Sequence, residues 1–243
     1  MSLVSASSFI GGVKEYMFRG LQELPLVLTG TALLFTISSG SMAFMNLTLG
    51  MAILMPLYTF ILQAGFSRLF NYISPNSLWW RRSTSDVCNI IPSYGKKDLS
   101  YYTGTEMGDS IPSYWLMNLG FFIGYTISNA VDSLTSPVGA QTSTVNYDKR
   151  NLQAIMTLAA ISIFAAIVLG IRFYKMNSCE GHGWWGSILS IVCALGAGYI
   201  GNQIYTVSRV CGAKTSDLFG ILSQILPASS TTNNPVVCTQ TSP

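Results

Sequence analysis

Charge is what this sequence has least of. Only 9% of its 243 residues are Asp, Glu, Lys or Arg, against about 25% in ordinary soluble domains, too little to clothe a surface that faces water throughout. Histidine occurs once, at His182, and the five cysteines, Cys88, Cys179, Cys193, Cys211 and Cys238, show no CxxC or CxxH spacing. No transition-metal site and no cofactor is expected from such a set. The formal net charge is only +3, and the basic residues sit in pairs between apolar runs instead of forming a face or a tail. A nucleic-acid partner is therefore not expected. A phosphate-binding Walker loop, a zincin His pair and a nucleophile elbow are all missing, so the residues alone point to a non-enzyme. The opening MSLVSASSFIGGVKEYMFRG lacks a basic stretch followed by an apolar one. A cleavable signal peptide is not expected, and the first span would direct its own insertion.

Long uncharged apolar runs are what the chain has in their place. Asn151 to Ile171 places 21 residues without a charge between Lys149-Arg150 and Arg172. As a helix it reaches roughly 30 Å, the thickness of a bilayer's hydrocarbon core, with basic residues at both water boundaries. Pro25 to Phe66 contains no charged residue at all over 42 positions, which suits two spans. The break is expected within the small and polar cluster Ser38 to Asn46, giving spans of about Pro25 to Phe44 and Leu47 to Phe66. Pro56 should kink the second, a proline tolerable in a membrane where a neighbouring helix satisfies the freed carbonyl. Asn46-Leu47-Thr48 fits the N-glycosylation triplet but lies too near the bilayer surface to be a good acceptor.

Ser113 to Val131 reads as a third span, in which Gly120 and Gly124 form a GxxxG pattern that admits another helix closely. The fifth, about Trp184 to Tyr205, opens on an aromatic anchor and repeats the device with Ala194 and Gly198, and with Ala197 and Gly201. Before the first span, Val13 to Leu24 has an apolar stripe at helical spacing: an amphipathic helix in the interface, or a frayed extension of that span. After the last, Ser216 to Leu226 is too short to span and is expected to lie at the interface or re-enter, followed by an uncharged polar tail.

The connecting segments hold the charge. Arg68 to Ile111 is the one sizeable polar region, too aromatic for a disordered linker, and reads as an ordered loop or small subdomain. Its Trp79, Trp80, Arg81 and Arg82 are the candidate partner contacts, or else anchor the loop to lipid headgroups. Asp132 to Arg150 and Arg172 to Gly183 read as shorter loops. With five spans and the N-terminus inside, nine of the thirteen Lys and Arg residues fall on the inner side. Cys211 and Cys238 then share the outer side, where a disulfide forms if that side is oxidising.

One family resemblance rests on motif order. Ile111-Pro112-Ser113-Tyr114-Trp115 opens one span and Glu180-Gly181-His182 precedes another, in an order similar to that of the type 2 phosphatidic acid phosphatases. Those carry KxxxxxxRP, PSGH and SRxxxxxHxxxD at membrane helix ends. Here no Arg-Pro occurs, and Tyr114 and Trp115 stand for the Gly and His of the second motif. Lys175 and Met176 stand for the Ser and Arg of the third, and Gly186 for its Asp; Ser208-Arg209 has Thr215 at the His position. The resemblance implies a retained fold with the catalysis lost. In general texture the chain also resembles the multi-pass membrane proteins beneath the capsids of large double-stranded DNA viruses, which implies a role joining an internal membrane to a protein shell.

The sequence thus predicts an all-α, multi-pass transmembrane bundle of about five spans with one ordered polar loop region. Its segments are residues 1–24, amphipathic; 25–66, a transmembrane hairpin; 67–112, the polar region; 113–205, three transmembrane helices; and 206–243, an interfacial helix and tail. The expected role is non-catalytic and structural, with a lipid bilayer and other membrane or shell proteins as partners; a lipid-phosphatase-like protein and a passive pore are the alternatives.

Overall fold

The computed structural model describes residues 20–21, 23–74, 111–135, 144–175 and 184–210. Among these the protein is all-α: α1 (Leu24–Ser39), α2 (Met42–Leu49), a π-helical turn (Gly50–Leu54), α3 (Met55–Ile73), α4 (Tyr114–Thr135), α5 (Thr144–Lys175) and α6 (Trp184–Val210). Three stretches are long and apolar enough to cross a membrane, Met42–Ile73, Asn151–Tyr174 and Trp184–Ser208, and α1 is a shorter apolar helix of 16 residues. Of the expected amphipathic helix from Val13 to Leu24 only residues 20, 21, 23 and 24 are described, and the polar region over 75–110 and everything beyond 210 lie outside the described residues.

The hairpin turns on one glycine. Pro25 sits in the first turn of α1, where a missing N–H leaves no helical bond unmade. At the other end Gly40 adopts φ +62°, which a residue without Cβ enters freely, and its N–H closes on the Thr36 carbonyl at 2.9 Å. The break is therefore confined to Gly40 and Ser41, and the second pass begins at Met42, not at Leu47. Asn46 consequently lies inside a helix, half-buried, and donates to Ser208 Oγ at 2.6 Å.

Pro56 does not break this second pass; a π-helical turn placed before it absorbs the distortion. The Met55 N–H reaches back five residues to the Gly50 carbonyl. In that register the next carbonyl, Met51, falls to Pro56, which has no N–H to give. Two side chains of α4 supply the missing donors: Tyr114 Oη at 3.2 Å and Asn118 Nδ2 at 3.1 Å. The helix then runs to Ile73, seven residues beyond the expected Phe66, carrying Arg68 exposed on its flank. It ends at Ser74 (φ −150°, ψ 75°), because the following Pro75 crowds the residue before it out of the helical region.

α4 is the axis of the bundle. Trp115, Leu116, Met117, Leu119, Phe121 and Tyr125 are buried on nearly all sides of its first three turns, against α1, the π-helical turn, α3, α5 and α6. Its start is capped by Ser113, whose hydroxyl accepts from the Leu116 N–H at 3.4 Å. The outer helices turn their apolar side chains outward instead: Leu34 on α1, Phe60 on α3, Ile163 on α5 and Leu195 on α6 are exposed. Such a coat suits hydrocarbon and not water. Many hydroxyls in the helices are satisfied locally, Ser190 Oγ on α6 being buried without a hydrogen-bond partner. Thr29, Thr59, Thr126 and Thr206 each donate to the carbonyl four residues back at 2.7–2.9 Å, so that little is left unpaired where no water reaches.

α5 begins at Thr144, seven residues before the expected start at Asn151, and its 32 residues reach about 48 Å. The loops predicted over Asp132 to Arg150 and from Arg172 shrink accordingly, since α4 continues to Thr135 and α5 to Lys175. α6 opens at Trp184 and passes the expected Tyr205 to end at Val210. Its first two residues, Trp184 and Trp185, are exposed and stacked with ring centroids 4.1 Å apart.

Candidate functional site

Two ends of the bundle are chemically distinct. At the first, Trp115 donates from Nε1 to the Leu21 carbonyl at 2.8 Å, and Gln63 Nε2 donates to the Pro112 carbonyl at 2.7 Å. The start of α1, the later turns of α3 and the start of α4 are thereby drawn together. Arg172, near the end of α5, enters the same cluster. Its guanidinium carbon lies 4.8 Å from the centroid of the Trp115 ring, and the residue is 0% exposed. Sequence reasoning placed Arg172 at the water boundary; the structure places it inside, lying over an indole face. The cause is long-range, because Trp115 is set over that position only by the packing of α4 against α5.

The opposite end is formed by α4 and α6, which run parallel and pack along a seam of small residues. Gly120 faces Ala194 and Gly124 faces Gly198 so closely that a Cβ on either glycine would fall within the neighbouring backbone. A Cβ at Gly201 would stand 2.6 Å from the Phe121 carbonyl oxygen and 3.0 Å from the Tyr125 nitrogen. The structure thus brings Gly120, Gly124, Ala194, Gly198 and Gly201 together within one chain, at a single helix crossing.

Beyond the glycines the same seam becomes polar. Ser128 Oγ donates to Asn202 Oδ1 at 2.8 Å, and Tyr205 Oη donates to Asp132 Oδ2 at 2.8 Å. The Tyr205 ring meets the Tyr125 ring edge-on, with centroids 5.6 Å apart and planes at 90°. Tyr125 in turn donates from Oη to the Ala43 carbonyl at 2.9 Å, tying α2 to the seam. A cleft of about 470 Å³ opens here, lined by Gly124, Ile127, Ser128, Val131, Asp132, Thr135, Asn202, Tyr205 and Thr206. Sequence reasoning passed over this group, though a signal was present. The four-residue ladder that starts at Gly120 and Gly124 continues to Ser128 and Asp132, and the one from Ala194 and Gly198 continues to Asn202 and Thr206.

Among the described residues no three His, Cys, Asp or Glu side chains gather where they could hold a metal ion. Cys193 is a free, buried thiol. Several positions of the phosphatase-like motif order have structural partners. Ser113 caps α4, Tyr114 serves the Met51 carbonyl, Trp115 holds Leu21, and Ser208 accepts from Asn46 and donates to the Ile204 carbonyl at 2.6 Å. His182 lies outside the described residues, as do the candidate partner contacts Trp79, Trp80, Arg81 and Arg82 and the cysteines Cys211 and Cys238. Comparison with protein-family models gives no match, and neither the curated proteins nor the solved structures give a significant one.

Proposed function

We propose that this protein is a non-catalytic, multi-span integral membrane scaffold that links a bilayer to a protein assembly. The observation that carries the reading is how α4 uses its buried polar side chains. Tyr114 and Asn118 hold the Met51 carbonyl and Tyr125 holds the Ala43 carbonyl. These groups fix neighbouring backbone in place, which rigidifies a bundle and commits their donors to structure. The glycine seams that would let separate copies assemble into a pore are spent inside one chain. A rigid membrane body with a long polar connection between α3 and α4 suits an anchor whose loops dock elsewhere.

In this proposal the chain crosses five times, α1 and α4 completing the set formed by the three long apolar stretches. The N-terminus lies inside and the C-terminus outside. Trp79, Trp80, Arg81 and Arg82 contact the partner, and Cys211 and Cys238 pair on the outer side if it is oxidising. The finer version, a virion membrane tied to its capsid, rests on the general resemblance stated above. Affinity capture of the intact protein from its native membrane in mild detergent tests it, with captured partners identified by mass spectrometry and phosphate release from phosphatidic acid assayed in the same eluate. Stoichiometric shell or scaffold proteins without phosphate release support the reading. Robust release with no partner overturns it in favour of a lipid phosphatase.

A further inference from the structure

The cleft formed by the last turns of α4 and α6 has spent nearly all of its donors. Its α4 wall recurs every three or four residues from Gly124 to Thr135, so it runs along that helix for about 16 Å. Each lining hydroxyl gives its proton within the chain. Ser128 donates to Asn202 Oδ1 and Tyr205 to Asp132 Oδ2, both at 2.8 Å, Thr135 to the Val131 carbonyl at 3.0 Å and Thr206 to the Asn202 carbonyl at 2.9 Å. The Asn202 amide nitrogen is the exception. Its companion oxygen is held by Ser128 on α4, while the nitrogen has no hydrogen-bond partner among the described residues.

Depth decides what can meet that nitrogen. α6 enters at the exposed, stacked Trp184 and Trp185, an aromatic pair of the kind that marks a membrane boundary, and about 20 residues then cross the hydrocarbon core. That count puts the far edge near Ile204, just beyond Asn202. There water is scarce and an unpaired donor is costly, and the acyl ester carbonyls of glycerolipids lie at the same level. Below it the wall is apolar through Ile127, while Val131, 42% exposed, opens the cleft to the bilayer. The volume, about 470 Å³, falls within the range of ligand pockets.

We infer that the cleft seats one acyl ester of a bilayer glycerolipid, the Asn202 amide donating to the ester carbonyl and the first methylenes of that chain lying against Ile127. A neutral amide recognises the carbonyl and not the charge of the headgroup. The inference rests on the membrane reading but not on the scaffold role, since a transporter or an enzyme would use such a site equally well.

The test uses the full chain, purified in mild detergent and exchanged into bilayer discs. These contain equal parts of dioleoyl phosphatidylcholine and its dialkyl ether analogue, which has the same headgroup and chain length but no carbonyls. Lipid retained after extraction is read by native mass spectrometry. The wild type should keep the ester over the ether by about fivefold, the ratio expected for one neutral hydrogen bond. The same ratio should hold when both lipids carry phosphatidylglycerol headgroups. Asn202→Leu should bring it near one with the fold kept, because Ser128 then donates to the Gly124 carbonyl 2.7 Å away. Val131→Trp should fill the cleft and lower retention of both lipids several-fold while the helical signal in circular dichroism is unchanged. Equal retention by the wild type, an undiminished preference in Asn202→Leu, a preference confined to one headgroup or undiminished retention in Val131→Trp overturns the inference. None of these outcomes depends on whether the capture experiment finds a protein partner.

Discussion

Asn118 Nδ2 donates at 3.1 Å to the carbonyl of Met51, a group whose partner in the local π register is Pro56, the one residue type without an N–H. Tyr114 Oη reaches the same carbonyl at 3.2 Å and itself accepts from Asn118 at 2.6 Å. The proline and the two side chains form one unit: the first creates an unpaired acceptor where no water is available, and the others satisfy it. Asn118 Oδ1 is left without a hydrogen-bond partner, which shows that the amide is placed for what its nitrogen does.

Replacing Asn118 with Leu should destabilise the bundle by about 1–3 kcal/mol, the cost of a buried acceptor losing a donor. In a Pro56→Ala background the penalty should fall by about 1 kcal/mol, because the restored N–H can serve Met51 itself. Thermal unfolding in detergent for the four members of this cycle reads the coupling. Strict additivity would show that the carbonyl and the proline are unrelated.

The glycines sort into two groups by what surrounds them. Gly124→Ala sets a methyl against the Gly198 backbone, which cannot yield as a flexible side chain would, and should cost about 1–3 kcal/mol. Gly170 on α5 and Gly30 on α1 have nothing within 4 Å of a built Cβ. Alanine there should be neutral or raise stability by up to about 1 kcal/mol through helix propensity. Because the seam is intramolecular, Gly124→Ala should lower the unfolding temperature without changing the oligomeric state by light scattering. A change of oligomeric state alone would place that glycine at a contact between chains.

Much of this architecture is legible in the residues, and the parts that are not share a physical cause. The long runs, the small and polar cluster that holds Gly40 and the four-residue ladders of small side chains are local patterns, open to reading without any knowledge of the packing. Hydropathy alone made α4 one more span, yet its polar positions Asn118, Thr126 and Asn129 are all buried, because this helix is surrounded by protein. Arg172 read as a boundary marker because a single charge ending an apolar run usually is one. Its burial depends on Trp115, a residue on another helix. The π turn escaped notice because nothing in GMAIL distinguishes it from ordinary helix; only the proline two residues on makes it useful. The Asp132 cleft needed two ladders followed past their glycines, on helices whose pairing no local pattern announces.

Arg172 supplies a prediction in which charge and shape separate. Arg172→Lys keeps the charge but loses the flat guanidinium over the indole, and should cost about 1–2 kcal/mol. Arg172→Ala leaves the Trp115 face uncovered as well and should cost more. The control is Arg68→Lys on the exposed flank of α3, expected within about 0.5 kcal/mol of wild type. Urea or thermal unfolding in detergent ranks the three. Equal effects at the two arginines would mean that the contact with Trp115 contributes nothing.

The five-crossing topology makes the least forgiving prediction, since α1 has only 16 residues and reaches about 24 Å, short of the roughly 30 Å hydrocarbon core. Thinning of the bilayer around it, or the helical residues Gly20 and Leu21 just before it, would make up the difference. On a background with the five native cysteines replaced by serine, single cysteines are introduced at Ser39, Thr135, Tyr72 and Trp184, all exposed at helix ends. A membrane-impermeant maleimide applied to sealed vesicles of one orientation should label Ser39→Cys and Thr135→Cys from one side, and Tyr72→Cys and Trp184→Cys only after the vesicles are opened, or the reverse. Labelling of Ser39→Cys and Tyr72→Cys from the same side would show that the pass from Met42 to Ile73 returns without crossing. The positive-inside count and the five-span reading would then fall together, because both depend on Arg68 and Ser39 facing opposite solutions.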